Sequence, residues 1–263
     1  MENKMKNKSI FKNKISIEET KMNVVSDIDF EKIGLDDFII NQRNILKKYI
    51  IDNPPLFLKT LKPYKLKNKK NDSNPKIIKK MIEGSNIANV GPTATLAGTI
   101  AELSLDYLIK NNSNYSILDN GGDIAFLNNY SNKKVIFGIY AGNSPLSGEI
   151  GFEFKNKSKN QKMGICTSSG SVGYSISYGR SDSVTVISEN ASIADGLATS
   201  IGNKVNGVLD QDAVENGLIA AEKFKEHFTG ALIIVGESIG TIGKLPKIVE
   251  TNNEKILNSF KEE

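Results

Sequence analysis

The stretch ILDNGGDIAF, residues 117–126, decides how the chain is read. An apolar strand runs into Asn120-Gly121-Gly122-Asp123 and resumes as Ile124-Ala125-Phe126. A glycine pair inside a strand gives up side-chain packing and backbone entropy, so a fold places it at a bulge or where a ligand or a second backbone comes close. The polar residues Asp119, Asn120 and Asp123 suit a loop that hydrogen-bonds a polar ligand ring while Gly121 and Gly122 permit close approach. A structural bulge accounts for the same residues, and both readings stand.

Outward from this stretch the pattern mixes strands and helices. Upstream, ISIEET and KMNVVSDIDF read as two short strands, and Gly34 to Asp52 carries apolar residues at the helical period before stopping at Asn53-Pro54-Pro55. Pro54 to Pro75 is turn-rich and basic, a surface excursion before a short helix from Pro75 to Gly84. From Asn86 small residues dominate, with Ala97, Ala101, Leu105 and Leu108 on one helical face. Downstream, KVIFGIYAG, SGEIGFEF, KMGICTSSGSVGYSISYG and SDSVTVIS read as strands, the third with a Gly/Ser-rich interruption. ASIADGLATSIGNKV and Gln211 to Phe228 read as helices, and ALIIVGESIGTIG as a final buried strand and hairpin. The expected class is α+β, with an antiparallel-rich sheet in one domain of two lobes at most. Residues 1–14 are expected to be a disordered basic N-terminus, 15–250 the domain and 251–263 a polar tail.

Composition narrows the function. With 263 residues and 39% hydrophobic content the chain can bury a sizeable core. No apolar run approaches the roughly 18 residues that span a bilayer, and the lysine-rich start lacks the apolar region of a secretory signal, so a cytoplasmic location with no membrane partner is expected. Cys166 is the single cysteine and His227 the single histidine, which excludes an internal disulfide and thiolate clusters and argues against a zinc site or a His-dependent triad. The net charge of +4 is modest and the lysine runs lack interleaved aromatics, so nucleic acid is not the expected partner. Apolar surface around ALIIVG offers a homodimer contact.

Besides the glycine pair, two elements can carry chemistry. Ser192-Ile193-Ala194-Asp195 resembles a capping box with aspartate in place of glutamate. Asp195 and Thr199, four apart on one helical face, also present a carboxylate and a hydroxyl that can ligate a hard cation such as magnesium. CTSSGSVG, residues 166–173, is a loop whose backbone N–H groups and hydroxyls can receive an anion, although it lacks the ending of a Walker loop. Cys166 reads either as a buried small hydrophobe or as a reactive thiol.

The small-residue helix, NGGDI, TSSG and ADGLATS, in that order over residues 86–206, resemble the ApbE-like (T-fold-like) superfamily, whose characterised members are FAD:protein FMN transferases. The likeness is nearest to that superfamily's uncharacterised cytoplasmic branch and extends over nearly the full chain. The resemblance implies a magnesium site of Asp195, Thr199 and the Ala94 carbonyl. It further implies a flavin-nucleotide pocket, for FAD or FMN, lined by Asn120, Gly121, Gly122, Thr167, Ser168 and Gly170, with Asp123 beside them. Two departures bear on activity. Ala97 stands before Gly98 where the transferases carry lysine, and their His-x-x-Asp-Pro-x-Thr-Gly loop has no counterpart in SYGRSDSVTV. Transfer of FMN to a protein is therefore not expected, and cleavage of a dinucleotide pyrophosphate is the simplest reaction the remaining groups support. A non-catalytic binding or assembly module on the same fold is the alternative. A third reading is an enzyme acting on a small metabolite through Cys166, with Asp182 or Arg180 near it.

Overall fold

In a computed structural model of the chain, the described residues are 8–53, 60–64, 74–155, 160–170 and 179–251. Most of the basic excursion between Pro54 and Pro75, the segment 171–178 and the tail from 252 lie outside them. The strands are β1 (Phe11–Ile17), β2 (Thr20–Ser26), β3 (Tyr115–Asn120), β4 (Asp123–Asn128), β5 (Lys134–Gly138), β6 (Ile150–Lys155), β7 (Lys162–Ser168), β8 (Ser183–Ser188), β9 (Gly230–Val235), β10 (Ser238–Gly243) and β11 (Lys247–Glu250). The α-helices are α1 (Leu35–Asp52), α2 (Lys76–Ala88), α3 (Leu96–Lys110), α4 (Ala191–Gly202) and α5 (Asp210–Glu222). A 3-10 turn, Pro92–Thr95, leads into α3.

Eight strands form one sheet in the order β1-β2-β3-β4-β7-β8-β9-β10, and β11-β6-β5 form a second. Every pairing among the described residues is antiparallel. Strand alternation sorts the core into two layers. Leu118, Ala125, Cys166, Val186, Ala231 and Ile233 face the helices, where Leu35, Ile77, Leu105 and Leu197 meet them. Ile165, Ile187, Leu232 and Ile234 face the small sheet. There Phe126 packs on Phe137 and Phe154 with ring centroids 4.9 and 5.0 Å apart. β9 reads as an unbroken apolar run because both of its faces are covered. The surface expected there for a homodimer is therefore internal.

Three local readings are corrected by the backbone. Asn120 pairs with Asp123 in the β3–β4 register, so the glycine pair is the two-residue loop of a hairpin rather than an interruption within a strand. Gly121 and Gly122 have φ of 67° and 94°, which side chains rarely adopt, and this turn geometry is reason enough for the pair. Among the described residues, nothing beyond the chain neighbours lies within 4 Å of a Cβ built at either residue. The second correction is at the start of the chain, where β1 begins at Phe11, inside the segment expected to be disordered. The third is at the end of helix α5, which stops at Glu222 and is followed by a 3-10 turn, Lys225–His227.

Candidate functional site

The glycine hairpin, the end of β7 and the start of α3 come together at one end of the large sheet. Asn120, on the helix side, donates from Nδ2 to the Ala97 carbonyl at 3.1 Å. Asp119 accepts from Gly122 N at 2.9 Å through Oδ1, which fixes the turn. By alternation with Ala125, the Asp123 side chain also faces the helices, and its strand partner on β7 is Cys166. Ser168 shares that side and is buried. Thr167 faces the other way, where its hydroxyl lies 2.9 Å from that of Thr185, which in turn is 3.3 Å from Ser183 Oγ. Gly170 is exposed and donates its N–H to the Ser181 carbonyl at 2.9 Å. Thr185 and Ser183 were not identified from the sequence; the alternation of hydroxyls in SDSVT was the available signal.

Helix α4 reaches this end of the sheet because small residues let it come close. A Cβ on Gly164 of β7 would sit 2.4 Å from Ala191 Cα, and one on Gly98 of α3 would sit 2.4 Å from the Ala191 carbonyl oxygen. The small-residue stretches therefore form a tight seam of α3, α4 and β7. At this seam Asp195 is buried, and its Oδ2 accepts from Gly98 N at 2.9 Å. The capping-box reading is thus replaced. Asn190 is the N-cap of α4 and makes no side-chain cap bond, while the Asp195 carboxylate caps the start of α3 instead. A carboxylate at that position also meets the positive end of the α3 dipole.

Ala94 lies in the 3-10 turn that packs against α4, and Thr199 is one turn beyond Asp195 and partly exposed. Asn120, Asp123, Ser168 and Asp195 thus lie on the helix side of the sheet end, with Ala94 in the turn that leads into α3 and Thr199 one turn along α4. Thr167 and Gly170 lie on the same strand end with their outer atoms directed elsewhere.

The electrostatics of the group are unfavourable as they stand. Burial pushes the Asp123 carboxyl up from 3.8 to about 7; the Cys166 thiol and the Thr167 N–H work against this, and the Asp119 charge adds to it. Asp195 is raised well above the usual carboxylate range, first by burial and then by the Asp123 charge, against the Gly98 N–H. Among the described residues no lysine or arginine forms an ion pair with either carboxylate.

Cys166 is fully buried and donates from Sγ to the Ala191 carbonyl at 3.3 Å. Burial, then the charges of Asp123 and Asp195, push its thiol well above the ordinary range, the reverse of what a nucleophilic thiolate needs. Arg180 pairs with Asp210, and Asp182 accepts from Gly236 N at 2.7 Å, so both have partners of their own. Iodoacetamide is expected to leave the native protein unmodified at pH 7.5 and to label it fully in urea, as read by intact mass; rapid native labelling would restore the reactive-thiol reading. His227 is exposed in its 3-10 turn.

Comparison with known proteins agrees with this architecture. The family described as AbpE bacteria matches residues 5–238. A UPF0280 protein of Methanothermobacter thermautotrophicus is 45% identical over 250 residues, covering 95% of this chain and 92% of that protein. A UPF0280 protein of Methanobrevibacter smithii is 48% identical, covering 85% and 90%. Among solved structures, the apo flavinyl transferase ApbE of Pseudomonas stutzeri superposes with a TM-score of 0.51 at 12% identity, covering 94% of this chain and 96% of that one. The ApbE protein of Thermotoga maritima gives 0.50 at 14% identity, covering 94% and 99%. At such identities the likeness is one of fold, and it is the α+β, ApbE-like fold expected from the sequence. No helix among the described residues is long and apolar enough to cross a membrane.

Proposed function

We propose, from the premise that the chain belongs to the family described as AbpE bacteria, that it binds a flavin nucleotide, FAD or FMN, together with a magnesium ion at the α3–α4 seam. The observation that carries this reading is the pair of carboxylates, Asp123 and Asp195, on one side of the sheet end, both with raised proton affinity and, among the described residues, no cationic side chain paired to either. A hard divalent cation fits such a donor set, because oxygen ligands and negative charge are what magnesium takes. Asp195 Oδ1, the Thr199 hydroxyl and the Ala94 carbonyl would hold the ion, with Asp123 supplying further negative charge. Bound there, magnesium would neutralise phosphate charge on the nucleotide.

The chain's own residues divide the remaining work. Asn120 and the Gly121-Gly122 turn form an edge with room for a ligand, since among the described residues none beyond the chain neighbours comes within 4 Å of a Cβ built at either glycine. Ser168 offers a hydroxyl on the helix side, and Thr167, steadied by Thr185, one on the other. No histidine faces this group, which supports binding, with or without pyrophosphate cleavage, over FMN transfer to a protein.

The test is a thermal-shift titration with FAD, FMN, ATP and ADP, each with magnesium and with EDTA. A ligand at 100 times its dissociation constant should add about 2.7 kcal/mol to apparent stability. For a chain of this size that corresponds to a rise of about 5–10 °C in Tm. A flavin-specific, magnesium-dependent shift is expected; no shift with any of the nucleotides would end this reading and leave the fold as a scaffold for assembly.

A further inference from the structure

We propose that Glu102 is a positioning residue for the cation site, holding α3 and α4 in the register that brings Ala94, Asp195 and Thr199 to one ion. This rests on the reading above and concerns a residue outside the ligand set. Glu102 sits in the middle of α3 and is 2% exposed. A carboxylate so deeply buried is retained only where charge and hydrogen bonds compensate it. Here two neighbouring helices supply them. One oxygen pairs with Lys80 of α2. The other accepts from Ser192 N at 3.1 Å and from Ser192 Oγ at 2.8 Å.

Ser192 lies in the first turn of α4, so Glu102 satisfies an amide that the helix itself leaves without a partner. One turn earlier on α3, Asp195 does the same for Gly98. The two helices thus cap each other: an acid from α3 caps α4, and an acid from α4 caps α3. The attachment points are four residues apart on α3 and three apart on α4, so neither helix can slide or turn without breaking both contacts. The glycine seam removes the slack, since a Cβ on Gly98 would already lie 2.8 Å from Asp195 Cβ. Magnesium demands near-octahedral oxygen geometry with short bonds, so a displacement of a fraction of an ångström between Ala94 on one side and Asp195 and Thr199 on the other would weaken binding.

The experiment measures Mn2+ affinity by electron paramagnetic resonance on the full chain, for the wild type, Glu102→Gln and Ser192→Ala, with thermal unfolding and magnesium-free FMN binding recorded alongside. Glu102→Gln keeps an acceptor for Ser192 but leaves Lys80 without its countercharge. It is expected to weaken Mn2+ about tenfold, equivalent to about 1.4 kcal/mol, while leaving magnesium-free FMN affinity unchanged. Ser192→Ala, which removes one hydroxyl and keeps the amide, serves if the first variant does not fold, with an expected loss of about threefold. A fall in Tm with unchanged Mn2+ affinity in the folded variants would show a merely structural residue and overturn the proposal. A wild type that binds no Mn2+ would remove the cation site itself, and the positioning role with it.

Discussion

Replacing Asp27 with alanine is expected to destabilise the protein by about 3–5 kcal/mol, because several donors lose their acceptor at once and each buried donor left unsatisfied costs about 1–3 kcal/mol. Asp27 follows β2 and is 5% exposed. Its Oδ1 accepts from Ser113 Oγ at 2.8 Å, from Asn114 N at 3.1 Å and from Tyr115 N at 3.2 Å. Its Oδ2 accepts from the Tyr130 hydroxyl at 2.7 Å and from Lys8 Nζ at 3.0 Å. One side chain therefore ties the end of β2 to the entry of β3 and to the loop after β4. Alanine would strand buried donors that have no other carboxylate to meet. For Asp27→Asn the loss should be smaller, since the amide oxygen can still accept while its NH2 opposes the Tyr130 hydroxyl and Lys8.

The pH dependence gives this prediction its sign. Burial by itself would push the Asp27 carboxyl up, but hydrogen bonds from Tyr130, Lys8, Ser113 and the Tyr115 N–H outweigh it and hold the group below 3.8. A lowered folded value means that the unfolded chain binds the proton more readily, so the contribution is present above about pH 4 and is lost as pH falls through the folded value. Urea unfolding of wild type and Asp27→Ala should therefore differ most at pH 7 and converge towards pH 2–3. A difference below about 1 kcal/mol at pH 7 would mean that the network contributes little beyond an ordinary hydrogen bond.

The contrast between Asp27 and the glycine hairpin shows what a sequence reveals about this fold. Strands such as Ser183–Ser188 and Gly230–Val235 were legible because β-branched apolar runs bounded by polar turns have few other uses. The helix through Leu96–Lys110 was legible from its small and apolar face, although its start was read too early, since Asn86 to Ala88 complete α2. The glycine pair reads as an interruption of a strand because the flanking aspartates and asparagine suit a ligand as well as a turn, and only the pairing of Asn120 with Asp123 makes it a two-residue hairpin loop. β11 was missed because Lys247–Glu250 is four residues long, half of them charged, and is a strand only through its pairing with β6. Non-local capping left no trace of any kind. Asp195 and Gly98 are 97 residues apart, and Glu102 and Ser192 are 90 apart, so no window of sequence contains both partners. What the sequence carried at Ser192–Asp195 was a local motif, and tertiary packing gave both residues to another helix.

Asp195→Asn should separate function from stability by moving them in opposite directions. Asparagine is nearly isosteric, and its Oδ1 can still accept from Gly98 N, so the cap on α3 survives. What disappears is a negative charge that burial and the Asp123 charge both disfavour. The magnesium-dependent part of nucleotide affinity is expected to fall about 100-fold or more, which is about 2.7 kcal/mol or more. In EDTA at pH 8 the variant should be as stable as the wild type or more stable, by about 0.5–2 kcal/mol, as is usual when a site built for binding is relieved of its strain. The sign follows from linkage. Asp123 is raised from 3.8 to about 7 and Asp195 is raised as well, so the folded protein holds protons that the unfolded chain releases. Metal-free stability should then fall as pH rises above about 4, with the Asp123 share lost by about pH 7 and the Asp195 share lost as pH rises through its own raised value. Removing the Asp195 charge takes away its own share of that slope and eases the ionisation of Asp123, so the variant's profile should be flatter. Urea titrations of both proteins at pH 5 and pH 8, with EDTA and with magnesium, read all of these quantities together. A variant that loses stability at pH 8 in EDTA would make Asp195 a structural cap, whereas one that keeps its stability and loses only the magnesium response assigns its charge to the ion.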